Sequence, residues 1–147
     1  QMLSEAQKIE KMKELAFFSR FSPNELKEVA RAATWRDYAA GETIFAEGSR
    51  EQAFYVVADG SVAVSINGTR IRDLDTGQCF GEMEYLADVG RTASVAANRS
   101  STVVRVEGDF KGWASLPTQV RLNRVFQDVL IERLQATSKE LARALSH

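Results

Sequence analysis

Histidine and cysteine are all but missing from this chain of 147 residues; each occurs once, as the terminal His147 and as Cys79. A single cysteine has no partner for a disulfide within the chain. Its expected role is that of a small buried packing residue, with redox sensing as the alternative. Without an internal histidine there is no His/Cys cluster to hold a metal ion, and no Ser-His-Asp or Cys-His pair can be assembled. Asp73 with Asp75, or Glu82 with Glu84, are paired acids of a kind that strands and turns commonly carry. An enzyme is therefore not expected, and neither is a cofactor. Long apolar runs are absent too, as is a signal-peptide pattern, so no membrane segment is expected and the expected location is the cytoplasm. Nor does one sign of charge dominate. Twenty acidic residues against 19 basic ones give a net charge of −1, which argues against non-specific binding of nucleic acid.

What is present is ordinary for a soluble globular domain: 44% hydrophobic and 27% charged residues. The length suits one domain with a real core. Near the N-terminus, Ile9, Met12, Leu15 and Ala16 predict an amphipathic helix within Glu5 to Phe18. Ser22, Pro23 and Glu25 form a capping box with proline at the first helical position, so a second helix starts there. From Thr34 to Glu107 the pattern changes, and Gly41, Gly48, Gly60, Gly68 and Gly77 divide short β-branched segments. Asn67-Gly68, set between Ser61–Ile66 and Thr69–Leu74, predicts a hairpin. Many short strands with such turns indicate a sandwich or jelly roll.

After Asp109 the strands stop, and a long helix is expected from near Pro117 to around Leu145. Its apolar positions include Val125, Phe126, Val129, Leu130, Leu134, Leu141 and Leu145. The first half is expected to pack on its own domain. The second half, with Leu134, Thr137, Leu141 and Ala144 at heptad-like spacing, is a candidate homodimer contact, though too short for a coiled coil.

The densest chemistry lies in Phe80 to Ala93, FGEMEYLADVGRTA. Gly81 allows a close backbone approach. Glu82 can accept hydrogen bonds from hydroxyls, and Arg91 offers a rigid fork of donors suited to a phosphate. Thr92 adds a hydroxyl and Ala93 an accessible N–H. A glycine before a short helical turn also exposes N–H groups that seat an anion. Taken singly, a Glu or Arg in such a stretch reads as a solvated surface residue.

Taken in order, Phe80, Gly81, Glu82 and Met83, then Arg91, Thr92 and Ala93, resemble the signature of the cyclic-nucleotide-binding domain family. The turn-strand-turn from Gly41 to Gly48, the segments Ala53–Gly60 and Ser61–Val64, and Asp75-Thr76-Gly77 extend the resemblance over roughly Leu15 to Leu141. The resemblance implies a mainly β, α+β fold: an eight-stranded, jelly-roll-like β-roll with N-terminal helices and a long C-terminal lid helix. Its parts would be a helical segment over 1–33, the roll over 34–108 with the cassette at 80–93, and hinge and lid over 109–147, all one domain.

The resemblance also implies a ligand, cAMP or cGMP, and roles for residues. Glu82 would take the ribose 2′-hydroxyl and Arg91 the cyclic phosphate, while Gly81 and Ala93 would supply backbone donors. Thr92 would touch the phosphate and can reach the amino group of a syn guanine, so by itself it does not choose between the two ligands. Met83 would pack near the nucleotide, unless it is ordinary core. Arg133, in a segment resembling the lid of nucleotide-gated channels, is the candidate base contact; a solvated helix arginine is the competing reading. Two positions depart from the family pattern. Glu84 stands where a small residue is usual, and Tyr85 stands at the hinge leucine, whose apolar role Leu86 can share.

The function implied is a sensor that repositions its last helix to control an attached or partner effector. The alternative is an interaction module with a nucleotide-silent pocket. A phosphodiesterase would need metal ligands that this sequence lacks. Catabolite-activator-type transcription factors are similar over this region but continue into a helix-turn-helix, so DNA binding by these residues is not expected.

Overall fold

The computed structural model describes residues 3–83 and 89–146. Two serines start its first two helices in the same way. In α1 (Glu5–Lys13) the Ser4 hydroxyl accepts from the Gln7 N–H while the Gln7 side chain accepts from the Ser4 N–H. In α2 (Pro23–Arg31) Ser22 and Glu25 make the same exchange, at 3.2 and 2.8 Å, with proline in the first turn. Each box satisfies two N–H groups that the helix itself cannot. Ser22→Ala should therefore lower stability by about 1 kcal/mol, read as a shift of the urea midpoint at constant slope.

α1 ends earlier than its apolar spacing predicts. The Phe17 N–H bonds to the Gly77 carbonyl at 3.2 Å, and Leu15, Phe17 and Phe18 are all buried. Neighbouring residues on one helix point about 100° apart, so burying Phe17 and Phe18 together favours leaving the helix. The chain passes instead through a short 3₁₀ turn at Phe18–Arg20.

Eight strands follow among the described residues: β1 (Ala33–Tyr38), β2 (Thr43–Phe45), β3 (Ala53–Asp59), β4 (Ser61–Ile66), β5 (Thr69–Asp75), β6 (Cys79–Phe80), β7 (Ser94–Ala97) and β8 (Ser101–Glu107). They form two antiparallel sheets, ordered β1-β8-β3-β6 and β2-β7-β4-β5. The β4–β5 turn has Asn67 and Gly68 both at positive φ, 51° and 79°, the geometry that a two-residue hairpin favours.

The first sheet is covered on both faces, which explains why five successive residues of β3, Ala53 to Val57, are buried. Phe54, Val56, Val104 and Val106 pack under the helices, whereas Tyr55, Val57, Val62, Leu74 and Phe80 fill the space between the sheets. Two helices of very unequal length follow, the four-residue α3 (Phe110–Trp113) and the 30-residue α4 (Leu116–Leu145).

The start of α4 is tied down by α2. Glu28 accepts from the Ser115 N–H at 2.6 Å and from the hydroxyls of Ser115 and Thr118 at 2.9 and 2.7 Å. Further along, Arg20 pairs with Asp128 at 2.6 Å. Leu122, Val125 and Phe126 bury the inner face, so the first half of α4 packs on its own roll. Leu134, Leu141 and Leu145 are exposed.

Candidate ligand-binding site

Arg91 sits at one end of the space between the sheets, and its backbone is fixed first. The Gly48 N–H donates to the Arg91 carbonyl at 2.7 Å, and the Arg91 N–H to the Ser49 carbonyl at 2.8 Å. Its side chain is fully enclosed, 0% exposed. Nη1 donates to the Gly81 carbonyl at 2.6 Å; Nη2 donates to the Ala53 carbonyl at 2.8 Å and to Glu51 at 3.1 Å. The guanidinium lies 4.2 Å from the centre of the Phe45 ring, a cation–π contact that a dry setting strengthens. Gly81, at φ 82°, is needed here: a Cβ on it would come within 2.8 Å of Arg91 Nη1.

Glu51 was not visible as a site residue in the sequence. Besides Arg91, its carboxylate accepts from the Tyr55 hydroxyl at 2.7 and 2.8 Å and from Arg105 Nε at 3.0 Å. Burial works to raise its pKa, but the hydrogen bonds from Tyr55, Arg105 and Arg91 outweigh it and hold the carboxyl below its usual value. Burial, reinforced by the Glu51 carboxylate, pushes the Tyr55 phenol well above its ordinary value.

The second charged pair joins the roll to the long helix. Glu82 is 1% exposed, and Arg133 of α4, with 19% of its side chain exposed, donates to the Glu82 carboxylate and to the Cys79 carbonyl. Arg133 is thus not a solvated helix arginine. Cys79 is buried, and its thiol is pushed up by that burial and by the nearby Glu82 carboxylate. Gly81, Glu82, Arg91 and Arg133 therefore converge on one end of the roll. Thr92 is exposed and Ala93 half-buried beside them. Met83 is 53% exposed, so it is not ordinary core. Glu84, Tyr85 and Leu86 lie outside the described residues.

Beside the Glu82–Arg133 pair, a groove of about 620 Å³ runs between α4 and β5, with Ile71, Arg72, Gln78 and Glu132 among its lining residues. Charged side chains of both signs line it, Arg72 and Asp73 on the β5 side and Asp128, Glu132, Arg133 and Glu140 on α4. No group of three or more His, Cys, Asp or Glu side chains suited to a metal ion occurs among the described residues. No described helix is long and apolar enough to cross a membrane.

Fold and site together define a β-roll packed against a long helix, with a buried arginine and a buried glutamate at one end, and comparison with known proteins places it. The family model for the cyclic nucleotide-binding domain matches residues 35–110. The chain belongs to the cyclic nucleotide-binding domain family. It is 34% identical over 87 residues to a cGMP-dependent protein kinase of Toxoplasma gondii, covering 59% of this chain and 9% of that one. It is 32% identical over 100 residues to a cAMP-dependent protein kinase regulatory subunit of Aspergillus niger, covering 67% and 24%. The structure of the Thermus thermophilus Catabolite Activator Protein is similar with a TM-score of 0.71 at 25% identity, over 88% of this chain and 62% of that one. The chain spans at most 24% of the length of these two curated relatives.

Proposed function

We propose that this domain senses cAMP or cGMP and passes the signal to an effector through α4. The observation that carries the reading is the pair of buried, oppositely charged side chains at one end of the roll. Arg91 offers a charge-assisted fork for the cyclic phosphate, and Glu82 offers an acceptor for the ribose 2′-hydroxyl. Gly81 and Ala93 would add backbone donors, with Met83 and Thr92 at the exposed rim. The groove beside Ile71 and Arg72 leaves room for the base, within reach of Arg133. Glu84, and a hinge at Tyr85 and Leu86, belong to the same proposal through the motif alone.

The role is regulatory rather than catalytic, and kinship with a kinase regulatory subunit supports that. A ligand that binds the closed state of α4 better shifts the population toward it, by no more than its differential affinity. The exposed Leu134, Leu141 and Leu145 offer a face for a homodimer or an effector.

Titration of nucleotide-free protein with cAMP and cGMP tests the reading. Saturable heat at one site supports a sensor and ranks the two bases. A second reading, an interaction module with a silent pocket, draws on Arg133 already holding Glu82; a folded protein that binds neither nucleotide sinks the sensor reading and favours this one. Arg133→Ala should weaken binding roughly tenfold, the scale of one hydrogen bond to a charged group. The same variant should speed amide exchange in α4 beyond Asp128, because it removes that half's tie to Glu82.

A further inference from the structure

One carboxylate, Glu51, stands between two guanidinium groups. Its Oε1 accepts from Arg91 Nη2 at 3.1 Å and its Oε2 from Arg105 Nε at 3.0 Å. Arg105 lies on β8, directly opposite Tyr55 of β3 in the strand register, and the Tyr55 hydroxyl reaches both oxygens of the same carboxylate. Arg105 is fixed from its other side by Glu107, which accepts from Nη1 at 2.5 Å. Its strand runs between β1 and β3, so the guanidinium is carried on a rigid part of the sheet.

A carboxylate and a phosphate compete for a guanidinium, because both accept the same forked hydrogen bonds. Left to itself, Glu51 would place its whole charge on Arg91 and repel an arriving phosphate. Arg105 draws half of that carboxylate away and offsets its charge. We propose that Arg105 is a positioning residue for anion binding: by sharing Glu51, it leaves Arg91 able to hold a cyclic phosphate that Arg105 itself never touches. The inference rests on the cyclic-nucleotide reading of the site and adds a residue from outside the cassette, one strand away from it.

The test uses Arg105→Gln, Glu51→Gln and the double variant, each titrated with cAMP and cGMP and with adenosine and guanosine, which keep base and ribose but lack the phosphate. Arg105→Gln should weaken cyclic-nucleotide binding about tenfold, the scale of one hydrogen bond between charged groups. Nucleoside affinity should change less than about twofold, the scatter of independent sites. In the Glu51→Gln background the effect of Arg105→Gln should fall to that same level, since the competing charge is gone. Arg105→Lys keeps the charge and should recover part of the affinity; it decides the matter if Arg105→Gln does not fold. Equal losses for nucleotide and nucleoside, an undiminished loss in the Glu51→Gln background, or no loss at all would overturn the inference while leaving the sensor reading intact. Parent protein that ignores cyclic nucleotide overturns both.

Discussion

Arg91→Ala is expected to bind cAMP or cGMP roughly thirtyfold to several-thousandfold more weakly than the parent chain, from a loss of about 2–5 kcal/mol for a desolvated charge pair. The same substitution removes the donors that the Gly81 and Ala53 carbonyls and Glu51 now use. Breaking a buried pair from one side costs most when the remaining charge is left alone. Arg105 and Tyr55 still hold Glu51, so stability should fall by about 1–3 kcal/mol, the scale of buried acceptors left without a donor. The two effects separate cleanly. Affinity is read by calorimetry at a temperature where circular dichroism shows the variant folded, and stability by its melting curve. Arg91→Lys keeps the charge but loses the planar fork, so it should lie between parent and Arg91→Ala. A folded Arg91→Ala that binds as tightly as the parent would remove the phosphate role from this residue.

The second large effect lies in the joint between roll and helix. Phe126 is 1% exposed and meets Phe54 edge-on at 4.9 Å, with Phe17 and Phe110 at 5.5 and 5.9 Å. Phe126→Ala should cost about 3–5 kcal/mol, the lost transfer energy plus a cavity that rigid strands cannot close. For a domain of this length that corresponds to a melting point lower by on the order of 10 °C. Because these rings also hold α4 down, the variant should lose exchange protection over much of that helix. Leu141→Ala is the control. Its side chain is exposed, and the change should stay within about 0.5 kcal/mol. Equal costs at the two positions would mean that the far half of α4 is covered in solution.

These expectations draw on features that the sequence showed unevenly. Local chemistry was plain: Ser22 and Pro23 start a helix, Asn67 and Gly68 turn a hairpin, and Leu116 begins the long helix one residue before the expected Pro117. Such signals lie within a few residues of one another, where spacing rules apply. The helix expected within Glu5 to Phe18 forms, but its end at Lys13 was not legible, because the Gly77 carbonyl that receives the Phe17 N–H lies on a distant loop. Glu51, Arg105 and Glu28 escaped for the same reason. The contacts that bring them into the site or the helix joint, to Arg91, Glu51 and Ser115, span 40, 54 and 87 positions. The short-range contacts of Glu51 with Tyr55 and of Arg105 with Glu107 do not reveal them. Arg133 stood out only through its likeness to a known lid; its partner Glu82 is 51 positions away. The cassette was legible because its glycine, glutamate and arginine are compact in sequence as well as in space.

The long helix is also a lever of unequal arms. With Phe126 as the pivot, Arg133 stands about 10 Å along the axis and Leu145 about 28 Å, at 1.5 Å per residue. A tilt of about 10° would move Arg133 by under ~2 Å, enough to make or break a hydrogen bond. The same tilt would carry the far end roughly 5 Å, which is enough to clear or block a docking surface. A stroke at the nucleotide no longer than a bond's tolerance thus becomes, at the far end, a displacement the size of a side chain.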